Sequence, residues 1–215
     1  SKYIVATSQA EFRDCKKFGI PENKIKLIPL SFNPPDIPKS EENPIKKTRL
    51  LFVGRIVPLK NLDILLEAVK IVKKEIPEIE FTIVGDEVSG RLHGDAGYKQ
   101  KLVSLIDTLE IKENVKFVGW KTGGELWQMY QNSNLFLFAS TYENFGLPLL
   151  EAAHFGLPLI STDVGVAKNL IDANKGGNII LKLDANEYAK NIITLLKNDL
   201  TYEEASKFVL NESKN

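Results

Sequence analysis

The chain has 215 residues but one cysteine (Cys15), one methionine and two histidines. A single thiol cannot close an intramolecular bridge, so disulfide scaffolds and cysteine-rich zinc sites are excluded. His93 and His154 have no second His or Cys at ligand spacing on the same stretch, so neither supports a metal or a catalytic triad. Acidic and basic residues number 28 each, which leaves no net field to attract a polyanion and argues against nucleic-acid binding. Arginine is scarce, at Arg13, Arg49, Arg55 and Arg91 only. No apolar run approaches the roughly 18 residues of a membrane span. The expected sequence signatures of several enzyme classes are also missing. There is no Gly-x-Gly-x-x-Gly for a dinucleotide, and no Gly-x-Ser-x-Gly elbow for a serine hydrolase. The stretch Gly85 to Arg91 lacks the Lys and Ser/Thr that a P-loop needs after its second glycine.

What is present is an alternation of short apolar runs with longer amphipathic ones, the pattern of βαβ units feeding a parallel sheet. It predicts an α/β, Rossmann-like open sheet flanked by helices. Strands are expected near Tyr3 to Ala6, Ile25 to Ile28, Arg49 to Val53, Glu80 to Val84, Asn114 to Val118, Leu135 to Phe138, Leu159 to Ser161 and Asn178 to Leu181. Runs such as Leu50-Leu51-Phe52-Val53 do not alternate, so both faces should be buried. Leu62, Leu65, Leu66, Val69 and Val72 recur at helical spacing, with Lys70, Lys73 and Lys74 on an outer, solvated face. Further helices are expected over Tyr98 to Leu109, Gly123 to Gln131, Leu147 to Phe155, Ala167 to Ala173, Ala185 to Asn198 and Tyr202 to Leu210.

The stretch from Asn33 to Pro44 is dense in proline and charge, which suits a linker. The expected organisation is a lead-in over residues 1–33, a linker over 34–47, a compact α/β unit over 48–198 and a terminal helix over 199–215. The first residues lack an initiator Met and a signal-peptide pattern, and read as the middle of a longer cytoplasmic chain.

In an open parallel sheet, ligands sit at the carboxyl ends of the strands. After the strand ending at Val53 come Gly54, Arg55 and, five residues on, Lys60, a fork-shaped guanidinium and an ammonium that could clamp a diphosphate. Two solvated bases near a helix start would read the same way. The densest group follows Phe138, where Glu143 and Glu151 lie eight positions apart. Pro148 suits a first helical turn, which puts Glu143 in the loop and Glu151 on the helix. Amides around Phe145, Gly146 and Leu147 would then point from a helix amino terminus toward an anion. Carboxylates repel phosphate, so their natural partners are sugar and ribose hydroxyls; exposure or capping would explain either Glu as well. Gly85 and Asp86 end the next strand, and Trp120 closes a fourth loop at the same edge, either packed or open to a base.

Together, Val53-Gly54-Arg55 with Lys60, Ile83-Val84-Gly85-Asp86, and Glu143 through Glu151 running on to Thr162 resemble the donor-binding half of the retaining, GT-B-fold glycosyltransferases, the large family with bacterial mannosyltransferases and sucrose and glycogen synthases. The resemblance implies that Arg55 and Lys60 hold the donor diphosphate and stabilise the leaving nucleoside diphosphate. It also implies that Glu143 binds the transferred sugar, Glu151 the ribose hydroxyls, and Gly146 and Leu147 give amides. A nucleoside-diphosphate sugar is then the co-substrate, with no cofactor or metal. The missing partner is an N-terminal acceptor-binding domain, whose last strand and connector residues 1–33 resemble. Peripheral membrane contact of the parent protein is left open. The fragment should bind donor and transfer poorly alone. Val166 and Asn169 stand where the family has a second glycine and a glutamate, so close phosphate approach at that loop is not expected. A non-catalytic nucleotide-sugar module and a sugar-nucleotide epimerase of similar fold are the competing readings.

Overall fold

The computed structural model describes residues 2–31, 47–87, 97–172 and 174–214. The expected linker, apart from Lys47, and the loop carrying Arg91 and His93 lie outside them. In chain order the elements are β1 (Ile4–Ala6), α1 (Gln9–Lys17), β2 (Ile25–Leu27), β3 (Arg49–Val53), α2 (Leu62–Lys73), β4 (Glu80–Val84), α3 (Tyr98–Leu109) and β5 (Val115–Phe117). They continue as α4 (Gly123–Gln131), β6 (Leu135–Phe138), α5 (Leu147–His154), β7 (Leu159–Thr162), α6 (Ala167–Ile171), β8 (Gly177–Ile180), α7 (Ala185–Lys197) and α8 (Asp199–Glu212).

Six strands form one parallel sheet in the order β5-β4-β3-β6-β7-β8. Numbered within that sheet, this is the doubly wound order 3-2-1-4-5-6. The chain first builds outward from β3 through β4 to β5, then returns to start again at β6. Helices on both faces bury the two central strands, and every residue from Leu50 to Phe52 and from Leu135 to Phe138 is fully enclosed. β3 and β4 pair along five positions, Arg49 with Glu80 through Val53 with Val84. β3 and β6 pair only at Leu50 with Leu135 and Leu51 with Phe136. At their carboxyl ends these two neighbours therefore part, and the reversal of strand order places a crevice there.

The apolar stripe of α2 is buried as expected and packs against α7. Its lysines do more than meet water. Lys73 donates to the Glu110 carbonyl at 2.7 Å and Lys70 reaches the Glu110 carboxylate at 3.4 Å, so both tie α2 to the left-handed end of α3. The lead-in forms its own two-stranded parallel sheet from β1 and β2 around α1, a helix not anticipated above. No residue of α1 is buried, so it has no apolar stripe to read. Its start is nevertheless written in a capping box, in which Glu11 N–H donates to Ser8 Oγ at 3.1 Å and the Glu11 carboxylate receives the Thr7 amide at 2.6 Å. The last helix is longer than expected because the Asn198 side chain caps it by accepting from the Thr201 amide. α8 lies across α5, α6 and α7. Among the described residues no helix is long and apolar enough to cross a membrane.

Candidate active site

The crevice between β3 and β6 is walled by the loops that leave those two strands. Asn61, in the left-handed region at φ 47°, caps the start of α2. Its side-chain amide donates across the crevice to the Ala139 carbonyl at 2.7 Å and to Thr141 Oγ1 at 2.8 Å, and the Thr141 amide donates back to the Leu59 carbonyl at 2.9 Å. These bonds set the two loops at a fixed separation. Lys60 is then forced inward. It is 5% exposed, and its Nζ sits 2.5 Å from Glu143 Oε2, 3.4 Å from Ser140 Oγ and 4.8 Å from the centre of the Phe138 ring. Phe138 in turn stacks on Phe52 across the strand pair. The reading of two solvated bases is excluded for Lys60. Arg55 is exposed and pairs with no carboxylate among the described residues, leaving its guanidinium open at the same rim.

Glycines let the neighbouring loops close up. A Cβ on Gly85, at φ 133°, would fall 1.9 Å from the Gly54 carbonyl oxygen, so only a glycine allows the two strand ends to touch. Gly54 donates to the Val84 carbonyl at 3.0 Å and Gly85 to the Gly119 carbonyl at 2.9 Å, knitting three strand ends into one floor. Asp86 points away from this floor toward α3. Its carboxylate meets Lys99 Nζ at 2.7 Å and the Glu87 amide at 2.9 Å, and that ammonium and amide hold it below the ordinary range. Trp120, which follows Gly119, is 54% exposed, so its ring is not packed into the core.

Gly146, at φ 84°, is the cap residue of α5, and Pro148 occupies its first turn. Within that turn Pro148 has no N–H and the Leu149 amide donates to the Gly146 carbonyl at 2.9 Å, so the Leu147 amide is the donor that this helix end, with its positive dipole, could offer an anion. Phe145 is buried and its carbonyl accepts the Val166 amide at 2.8 Å, with Gly165 packed beneath. A Cβ on Gly165 would fall 2.0 Å from that same oxygen. Val166 itself has φ −93°, a conformation that needs no glycine. On the other side, Ser8 Oγ donates to the Asn144 carbonyl, so the lead-in also grips the Glu143 loop.

Glu143 is in the loop and Glu151 on α5, as the proline position implied. Glu151 is neither solvated nor capping. It is 8% exposed and its Oε2 accepts the Tyr130 hydroxyl at 2.6 Å. Burial pushes the Glu151 carboxyl above its usual range, and burial with the adjacent carboxylate pushes the Tyr130 phenol well up. The residues not anticipated are Asn61, Lys99, Ser8 and Tyr130. Asn61 before an apolar helix and the Ser8/Glu11 spacing were readable signals; Lys99 and Tyr130 had none. A separate cavity of 740 Å³ lies between the lead-in and α5, α6 and the chain end. It is bordered by Leu27, Leu30, Phe145 and Leu170, and none of Arg55, Lys60, Glu143 or Glu151 lines it. Among the described residues no cluster of side chains could hold a metal ion.

An open parallel sheet with a basic pair and two carboxylates at its switch point matches known proteins. The chain belongs to the glycosyl transferases, group 1, family, whose profile matches residues 34–213. It is 30% identical over 192 residues to an uncharacterized 41.2 kDa protein in the cps region of Klebsiella pneumoniae, a match that spans 86% of this chain and 49% of that one. The crystal structure of the pneumococcal O-GlcNAc transferase GtfA in complex with UDP and GlcNAc superposes with a TM-score of 0.82 at 25% identity, over 99% of this chain and 42% of that one. The C-terminal domain of a glycosyl transferase group 1 protein (LpcC) from Francisella tularensis superposes at 0.70 and 19% identity, over 79% of this chain and 85% of that one. The fold is thus the donor-side half of a GT-B architecture, and the chain spans about half the length of the first of these relatives.

Two outcomes are expected. Glu143→Ala strands the buried Lys60 ammonium and should lower stability by about 3 kcal/mol, whereas the Lys60→Met/Glu143→Ala double variant should lose clearly less; denaturant titration of the cycle measures the difference. Glu151 carries a raised carboxyl pKa, so the folded chain holds its proton longer than the unfolded one, and stability falls as pH rises from about 4.3 through the folded value. Glu151→Gln lacks that loss, and its stability relative to wild type should improve over the same window in thermal melts.

Proposed function

We propose that the chain is the nucleotide-sugar-binding half of a retaining glycosyltransferase, which moves a sugar from a nucleoside-diphosphate sugar to an acceptor hydroxyl. The observation that carries this reading is the convergence, at the switch point, of Lys60, the open Arg55 guanidinium and the amino end of α5 on one side with Glu143 on the other. The pairing of anion donors with hydroxyl acceptors is the chemistry of a sugar joined to a diphosphate. GtfA, the related pneumococcal transferase, is described in complex with UDP and GlcNAc, which supports the same ligand class here.

As the bond from the sugar to the diphosphate breaks, the sugar takes on oxocarbenium character and negative charge gathers on the leaving phosphate oxygens. Arg55, Lys60 and the Leu147 amide of α5 oppose that charge, and groups of this kind are typically worth about 3 to 4 kcal/mol each. Glu143 accepts sugar hydroxyls. Held by a buried ammonium at 2.5 Å, its carboxylate is a poor nucleophile, which favours a role in binding over covalent attack. Trp120 offers a face to the base, and Gly54, Gly85 and Leu147 allow close backbone approach. Basic residues neutralise the diphosphate, so no metal is called for.

The acceptor would come from a domain supplied by the rest of a longer protein. β1 and β2 support this, because Tyr3, Ile4 and Val5 are 42%, 39% and 51% exposed on a two-stranded parallel sheet, a structure that normally has both faces covered. The chain alone should bind donor and turn over poorly. Calorimetric titration with UDP tests the reading. Arg55→Ala should weaken binding at least about tenfold, equivalent to about 1.4 kcal/mol; isotherms that do not change would count against the assignment.

A further inference from the structure

We propose that Tyr130 is a positioning residue for Glu151, its buried phenol on α4 fixing one carboxylate oxygen so that the group stands ready for ribose hydroxyls. The proposal rests on the reading of Glu151 given above.

The geometry is that of a built contact. Tyr130 is fully enclosed, and its ring is wedged against Phe155 at 5.5 Å, Phe136 at 6.0 Å and Trp127 at 6.3 Å between ring centres. The ring cannot swing, so its hydroxyl is a donor fixed in space. For packing alone, phenylalanine would fill this place without a hydroxyl to satisfy. The donor lies 2.6 Å from Glu151 Oε2, the length of a charge-assisted O–H···O bond. Other enclosed tyrosines of the chain are used differently. Tyr188 donates to the Phe138 carbonyl at 2.9 Å and Tyr202 to the Asn134 carbonyl at 2.8 Å, both structural ties to backbone. Tyr98 donates to Asp63 and also accepts the Leu62 amide, which braces the start of α2. Tyr130 spends its hydroxyl on a carboxylate of α5, the helix that follows the Glu143 loop.

A carboxylate accepts hydroxyl hydrogens best when ionised, and enclosure works against ionisation. Burial raises the Glu151 carboxyl, and the Tyr130 hydrogen bond pulls it back down. No other titratable group among those packed on α5 contributes: His154, one turn along the helix, responds to its own burial and to Lys214, and Lys60 is engaged with Glu143. Burial thus sets the direction in which the Glu151 carboxyl moves, and the phenol both opposes that shift and fixes Oε2 in place.

The test compares wild type with Tyr130→Phe by two readouts. The first is a carbon-13 NMR titration of the Glu151 side-chain carboxyl, assigned through Glu151→Gln, without ligand. The second is UDP affinity by calorimetry from pH 5 to 8. The expected result is a carboxyl midpoint raised in Tyr130→Phe, with UDP affinity several-fold weaker than wild type at pH 8, where lost positioning acts alone, and no stronger toward pH 5. Site-specific 2,3-difluorotyrosine at position 130, a stronger donor of the same shape, should move the midpoint the other way, and tests the idea should the Phe variant fold poorly. A midpoint that stays put in both variants, or a UDP affinity that Tyr130→Phe leaves unchanged at every pH, would overturn the proposal. A midpoint that moves while wild type binds no UDP upholds Tyr130 as the positioning group and removes the ribose reading instead.

Discussion

The ion pair between Lys60 and Glu143 joins the two halves of a sheet whose strand order reverses between β3 and β6. Each partner is delivered by the loop that leaves one of the two diverging strands, and the pair is enclosed enough that neither group is stable without the other. The reversal opens the crevice; the Asn61 and Thr141 bonds fix its width; the pair then fills its back wall. A buried ammonium held in this way is already desolvated before any ligand arrives. In the proposed reaction it would face a diphosphate without first giving up bulk water, the preorganisation that transition-state stabilisation requires.

The rest of the site is arranged in layers around that pair. Behind it, Phe138 and Phe52 stack in the core and keep the local surroundings apolar. Beneath it, the touching ends of Gly54, Gly85 and Gly119 form a floor of backbone with no side chains to obstruct a ligand. At its flank, α5 begins at Gly146 and carries Glu151 inward to Tyr130. The Glu143 loop is gripped from both sides, by the Val166 amide on its own sheet and by Ser8 from the lead-in. That second grip links the small β1–α1–β2 unit directly to the loop that carries Glu143.

Much of this was legible in the residues. Arg49–Val53, Glu80–Val84 and Leu135–Phe138 were placed to the residue because each is a short apolar run between longer amphipathic ones, and in the first and third the apolar residues do not alternate with polar ones. α3 and α4 were equally clear, since α3 runs between the left-handed Gly97 and Glu110 and α4 opens at the Gly123-Gly124 pair. α1 was missed because it buries nothing, and periodicity reports burial, not helicity. Neighbour order in the sheet was not legible either, since each strand's own pattern is the same whichever strand lies beside it. For the site, the residue types and spacings of Arg55, Lys60, Glu143 and Glu151 indicated a diphosphate and hydroxyls. They did not show that Lys60 and Glu143 neutralise each other, that Glu151 is enclosed, or that Asp86 turns toward Lys99, because each depends on contacts across 13 to 83 positions of sequence.

The central claim is that a nucleoside diphosphate sits in the β3/β6 crevice. Amide chemical-shift mapping of the chain with UDP addresses it directly, because each strand-end loop reports separately. The account predicts saturable shifts concentrated at Gly54 to Lys60, Gly119 to Trp120 and Glu143 to Glu151, with little change at Leu27, Leu30 and Leu170 around the other cavity. Shifts centred on that cavity, or none at millimolar UDP, would contradict it.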